Sequence, residues 1–159
     1  MDPKEYYCVM ASYSQGKYVV KNPAKYSGNS QPTFRSSWEW AFMNFCDNHP
    51  AVISWASESI HIPYFNPFTR KNTIYVPDFF VMYQGKDGKQ RAELVEIKPS
   101  GEVMETVGKG ARNQAMAALN AIKWDAARKW CASQGITFRV VTEADMFANT
   151  KKVRKFKTK

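Results

Sequence analysis

Thr73-Ile-Tyr-Val-Pro77-Asp78-Phe-Phe-Val-Met-Tyr83, Gly85-Lys-Asp-Gly-Lys89 and Ala92-Glu-Leu-Val-Glu96-Ile97-Lys98 follow one another in the chain, and their order decides the fold. The first and last runs are rich in β-branched and aromatic residues, which suit a pleated, half-buried surface. The Asp-Gly step between them is a hairpin turn signal. The first strand is interrupted at Pro77 and the returning strand ends at Pro99. Strand side chains alternate faces, so Glu96 and Lys98 point the same way while Ile97 turns into the core. The hairpin then carries the Asp78 carboxylate towards that of Glu96.

Two clustered carboxylates repel each other unless a cation or proton is shared between them. An all-oxygen site suits Mg²⁺ or Mn²⁺, which take one or two carboxylates and keep several waters. The backbone carbonyl of Ile97 offers a further oxygen. Such an ion polarises a phosphate and activates the attacking water. Lys98 stands ready to assist its deprotonation or to offset charge in the transition state. Taken singly, Pro-Asp reads equally as a turn and Glu-x-Lys as a solvated strand face. Their placement on adjacent hairpin strands is what favours the metal-centre reading.

Working outward, Ser36 and Glu39 form the S-x-x-E capping-box pattern, and Trp38, Ala41, Phe42, Phe45 and Cys46 recur at helical spacing until Pro50. Glu39 has two readings: it completes the cap, or the helix presents it to the metal. Residues 51–55 and 58–62 read as a strand or a bent strand pair closed by Pro63, and Asn66-Pro-Phe68 as a turn. Residues 100–111 carry three glycines without a clear period and read as a mobile loop. A long helix over 113–133 bears an apolar stripe of Met116, Leu119, Ile122, Ala126 and Trp130, ended by Gly135 as a C′ residue. Residues 136–141 form a last strand, and Thr142 with Asp145 caps a short helix. Asn120 and Lys123 lie three apart off the apolar stripe, facing either the site, a phosphate or solvent. Arg35 is a candidate DNA contact or a brace for Glu39, and Glu58 a candidate ion-pair partner. Tyr64 and Phe65 are candidate DNA-facing aromatics, whereas Trp38, Trp55, Trp124 and Trp130 read as core.

Helix, strand, hairpin, helix, strand makes an α/β sandwich around a mixed sheet. The divisions expected are an extended arm over 1–34 with little core of its own, a core over 35–147 and a basic tail over 148–159. In that tail Lys151, Lys152, Arg154 and Lys155 can add phosphate contacts or simply stay solvated.

The 159 residues fit one domain with a single core. Lys plus Arg is 23 and Asp plus Glu is 14, so the net charge is 23 − 14 = +9, a balance that attracts polyanions such as DNA. Cys8, Cys46 and Cys131 are far apart without a CxxC, and His49 and His61 lack zinc-ligand spacing, so reduced, mostly buried thiols are expected and no structural zinc. No apolar run nears the roughly 20 residues of a membrane span, and the N-terminus lacks a signal-peptide layout, so a cytoplasmic site is the expectation. No dimer interface stands out, leaving the oligomeric state open.

The arrangement Glu39 … Pro77-Asp78 … Glu96-Ile97-Lys98 resembles the PD-(D/E)XK nuclease superfamily. More narrowly, the chain is similar to the head-completion nucleases of tailed bacteriophages, relatives of the TnsA-type transposon end-cleaving endonucleases. The stretches that carry the resemblance begin with Asn22-Pro-Ala-Lys-Tyr-Ser-Gly28, Phe34-Arg-Ser-Ser-Trp-Glu39, Phe45-Cys-Asp47 and Ile53-Ser-Trp-Ala-Ser-Glu58. They continue through Ile62-Pro-Tyr64, Pro77-Asp-Phe79, Val95-Glu-Ile-Lys-Pro99 and Lys123-Trp-Asp-Ala-Ala127 to Trp130-Cys131, Gly135 and Thr142-Glu143, covering about residues 15 to 145. The resemblance implies a single-domain, restriction-endonuclease-like α/β fold and hydrolysis of DNA phosphodiesters with Mg²⁺ or Mn²⁺, without a nucleotide cofactor. It implies that Asp78 and Glu96 hold the metal, that Glu39 joins them and that Lys98 is catalytic. It departs from the TnsA-type pattern in having Glu rather than Gln at position 96. The phage relatives imply a setting in the host cytoplasm or the virion, with head or portal proteins as partners. The rival readings are a non-catalytic DNA-binding or structural head protein on the same fold, and a junction-resolving or transposon-end nuclease.

Overall fold

The computed structural model describes residues 15–99 and 110–146. The four basic tail candidates, Cys8 and most of the glycine-bearing loop expected over 100–111 lie outside that set. Among the described residues the chain runs β1 (Gly16–Lys17), β2 (Thr33–Phe34), α1 (Ser37–Asn48), β3 (Val52–Ser57), β4 (Ile62–Asn66), β5 (Lys71–Tyr75), β6 (Phe79–Gln84), β7 (Gln90–Ile97), α2 (Ala111–Gln134) and β8 (Thr137–Val141). No described helix is long and apolar enough to cross a membrane.

The central sheet has the order β3-β6-β7-β8. β3, β6 and β7 are antiparallel, whereas β8 joins β7 in parallel. A parallel neighbour needs a long crossover, and α2 supplies it. The fold is therefore the expected mixed α/β, restriction-endonuclease-like arrangement. The hairpin of β6 and β7 forms as the Asp-Gly step predicts, with Gly88 at φ +78 in its turn.

Alternation along β7 divides the core in two. Val95 and Ile97 join Phe42, Met43, Cys46 and Trp55 on the α1 side. Leu94 joins Ile62, Tyr75, Ala127 and Cys131 on the α2 side. Ala127 and Cys131 are the fully buried residues of α2, and small side chains there let the helix lie close to the sheet. Gly135 closes α2 at φ +70, the left-handed C-cap that its position predicts.

Several expectations need correction. The second strand lies at 62–66 rather than 58–62, because Glu58 sits at φ +49 and turns the chain first. Pro63 does not close that strand but lies inside it, tolerated in a two-stranded ribbon where a missing N–H need not break a ladder on both sides. The run 73–83 is not one interrupted strand: β5 pairs with β4 in a separate ribbon, and only β6 enters the main sheet. Pro77, lacking an N–H, is where the chain changes sheets. Met116 is 57% exposed rather than part of a buried stripe, since α2 buries its C-terminal half.

The described part of the arm also differs from the reading that it has little core. Tyr18 and Phe34 are buried in the α1-side cluster, and Tyr26 bridges to Trp55. The Tyr18 hydroxyl donates to Asp47 Oδ2 at 2.9 Å, while the backbone N–H groups of Lys21 and Asn22 donate to the same carboxylate at 2.7 and 3.0 Å. Cys46 and Cys131 are buried free thiols, as expected. Burial pushes the Cys131 thiol up to about 11 and makes it a poor nucleophile.

Candidate active site

Asp78 immediately precedes β6, and the β6–β7 register pairs Phe79 with Val95. Continued by one step, it sets Asp78 opposite Glu96, where directly opposed side chains share a face. The Asp78 carboxylate is fixed by the backbone N–H of Ile97, which donates to Oδ2 at 2.7 Å. Its own carbonyl accepts from the Glu58 N–H at 2.9 Å, so both strands that flank β6 hold the residue.

Glu96 is a buried charged residue, 8% exposed. Tyr75, at the end of β5, donates its hydroxyl to Glu96 Oε2 at 2.8 Å. Lys98 Nζ stands 3.8 Å from Oε1 of the same carboxylate. The Lys98 backbone N–H donates to the Val141 carbonyl, which continues the β7–β8 pairing past Ile97 and keeps Lys98 in strand geometry. Glu96 and Lys98 thus share a face, as the period-two alternation predicts.

The electrostatics follow from this packing. Burial pushes the Asp78 carboxyl well above the carboxylate range, and repulsion from Glu96 and, more weakly, Glu39 adds to it. Burial raises Glu96 as well, against the Tyr75 hydrogen bond and the positive charges of Lys98 and Lys123. Tyr75 itself is driven upward by burial and by the Glu96 charge beside it, so it remains a donor. Two adjacent carboxylates that resist joint ionisation, Asp78 half-buried and Glu96 buried, offer hard oxygen ligands that fit a divalent cation, whose charge would offset the burial and mutual repulsion that oppose their ionisation.

The remaining candidates are distributed around this pair. Glu39 forms the cap: its backbone N–H donates to Ser36 Oγ at 3.2 Å, and its Oε2 accepts from the Arg35 N–H at 2.9 Å. It meets Asp78 through charge repulsion, and among the described residues no group of three metal-capable side chains comes together. Arg35 pairs with Glu58, whose backbone holds Asp78, so the Arg35 side chain braces Glu58 while its N–H braces Glu39. Lys123 is brought to the site: its Nζ lies over the Tyr75 ring, 5.7 Å from the centroid, and its charge reaches Glu96. Asn120 is half-buried one turn earlier on α2. Tyr75 is the residue that sequence reasoning missed. Its signal was a phenol three residues before Asp78 in an apolar strand, where a buried hydroxyl needs a partner.

Comparison with known proteins bears on this geometry. The model of the TnsA-like endonuclease N-terminal family matches residues 49–143, which contain Asp78, Glu96, Lys98, Tyr75 and Lys123. The head completion nuclease of Enterobacteria phage T4 is 34% identical over 139 residues, spanning 80% of this chain and 90% of that protein. With the hairpin that sets Asp78 against Glu96 and the crossover helix that brings Lys123 to them both inside the matched region, the chain belongs to the TnsA-like endonuclease family.

Proposed function

We propose that the chain is a divalent-metal-dependent DNA endonuclease that acts in completing the DNA-filled head of a tailed bacteriophage. The observation that carries the chemistry is the facing pair of half-buried Asp78 and buried Glu96 at one end of the β6–β7 ladder, with Lys98 on the same strand face. The setting is supported by the relative from phage T4, whose length the match nearly spans.

Asp78 and Glu96 would hold Mg²⁺ or Mn²⁺, with the Ile97 carbonyl as a further oxygen. When bound, the ion supplies positive charge against the phosphate and lowers the pKa of water. The chain's own groups do the rest. The Ile97 N–H keeps Asp78 aimed at the site. Tyr75 takes up Oε2 of Glu96, which leaves Oε1 for the metal and Lys98. Lys98 orients the attacking water and offsets negative charge that grows on the phosphate oxygens in the transition state. Lys123 adds a second positive charge on the α2 side, where a neighbouring DNA phosphate can meet it. Glu39 assists from α1 as the cap that holds the Arg35 backbone.

Purified protein should cut DNA with Mg²⁺ or Mn²⁺ and stop on adding a chelator. Asp78→Asn and Lys98→Ala should each lower single-turnover cutting by about 100-fold or more while keeping most of the DNA binding. Undiminished cutting by both variants would remove the site assignment. Salt-sensitive DNA binding with no turnover on any DNA form would favour the non-catalytic rival. A transposon-end or junction nuclease is the other enzymatic reading, and comparing linear, branched and single-stranded substrates separates these.

A further inference from the structure

The β4–β5 ribbon stands apart from the central sheet, its two strands pairing with each other. Its register puts Ile62 with Tyr75 and Tyr64 with Thr73 on one face, and Pro63 with Ile74 and Phe65 with Asn72 on the other. The first face is spent on the core, where Ile62 and Tyr75 pack with Leu94, Ala127 and Cys131. The second face is not. Phe65 is 53% exposed and Ile74 51%, with Phe68 at the tip 56% exposed. Exposed large apolar side chains gathered on one small element mark a binding surface.

Charge identifies the partner. From Ser59 to Pro77 the chain has no Asp or Glu, and Arg70 and Lys71 are both exposed at the tip. Neither is engaged in an ion pair among the described residues. The tip is also held in one shape. Asn66 Oδ1 accepts from the backbone N–H groups of Phe68 and Thr69 at 2.9 and 3.3 Å, and Arg70 sits at φ +54. The root of the ribbon touches the reactive pair, since Tyr75 donates to Glu96. At about 3.3 Å per residue, the four steps from Tyr75 to Lys71 cover about 13 Å, or about four base pairs at roughly 3.4 Å each. DNA seated on Asp78 and Glu96 therefore runs within reach of the tip. A two-stranded ribbon fits the major groove, about 12 Å wide.

We propose that the β4–β5 ribbon is a DNA-gripping element, resting on the nuclease reading above. Arg70 and Lys71 contact backbone phosphates, and Phe65 and Phe68 lie against the groove wall about four base pairs from the scissile bond. The ribbon thereby fixes where along the duplex the reactive pair acts.

The test measures anisotropy of a fluorescein-labelled duplex with full-length protein in the Asp78→Asn background, across a range of salt. Arg70→Ala with Lys71→Ala should flatten the slope of log affinity against log salt by about 1.8, about 0.9 for each phosphate contact. Phe65→Ser with Phe68→Ser should weaken binding by about 10-fold at every salt concentration with the slope unchanged. All four side chains are exposed, so the variants should melt with the parent; were the Phe pair to fold poorly, the Arg70 and Lys71 pair decides alone. Unchanged affinity and slope in folded variants of a protein that binds DNA would overturn this proposal alone and leave the ribbon as a protein-docking face. A wild-type chain that neither binds nor cuts DNA would overturn both this proposal and the nuclease reading.

Discussion

Ser36 and Glu39 close the first turn of α1, and the closure occupies the Glu39 carboxylate with the Arg35 N–H. Sequence pattern leaves two roles open for Glu39, cap and metal ligand; the structure shows its cap contacts, and its charge also reaches Asp78. Glu39→Gln keeps a capping side chain and removes the charge. The fold should then stay within about 0.5 kcal/mol of wild type, whereas Glu39→Ala should lose about 1 kcal/mol in thermal melts. Cutting by Glu39→Gln should fall far less than by Asp78→Asn; an equal fall would return Glu39 to the metal site. At the same scale Asp78, Glu96 and Lys98 were legible because strand periodicity and a tight hairpin suffice to bring them together. The sequence shows Tyr75 as a phenol in need of a partner but not that the partner is Glu96, because that contact crosses between the ribbon and the sheet and no local spacing reports it.

Elements whose geometry is set by neighbouring residues were read correctly. The Asp-Gly hairpin, the Ser36 cap and the Gly135 stop all depend on a few adjacent side chains or a single φ. Gly135 offers a clean check, because a Cβ there would meet nothing within 4 Å while its φ is +70. Gly135→Ala should therefore cost about 1 kcal/mol from the backbone alone, read as a lowered denaturation midpoint with an unchanged m-value. The β4–β5 ribbon was misplaced for the opposite reason. Its strands look like neighbours of β3 and β6 in sequence, yet Glu58 at one end and Pro77 at the other turn the chain out of the sheet. Composition did not distinguish a strand that enters the sheet from one that pairs beside it. The exposure of Met116 is not legible for a similar reason, since an apolar stripe does not say how far along a helix the sheet extends.

For the molecule as a whole, the described arm is part of the core, and Asp47 is what binds it there. Burial pushes the Asp47 carboxyl up, but hydrogen bonds from Lys21, Tyr18 and Asn22 outweigh that and hold it below the ordinary value. A carboxyl whose folded pKa is depressed adds stability that is present above its unfolded value, about 3.9, and is lost as pH falls through the folded one. Asp47→Asn turns an acceptor into a donor facing N–H groups, so it should lower stability at neutral pH by about 2–4 kcal/mol. Its acid unfolding limb below about pH 4 should be flatter than that of wild type in melts across pH. The net charge of +9 favours polyanionic partners, and the proposed grip by Arg70 and Lys71 would draw on the same attraction. Cutting by the proposed mechanism turns on a divalent cation held between Asp78 and Glu96. The most direct measurement is the anomalous difference density of a crystal soaked in Mn²⁺. A peak bound by the Asp78 and Glu96 carboxylates is expected; well-ordered Asp78 and Glu96 with no peak between them, at full Mn²⁺ loading, would overturn the metal assignment.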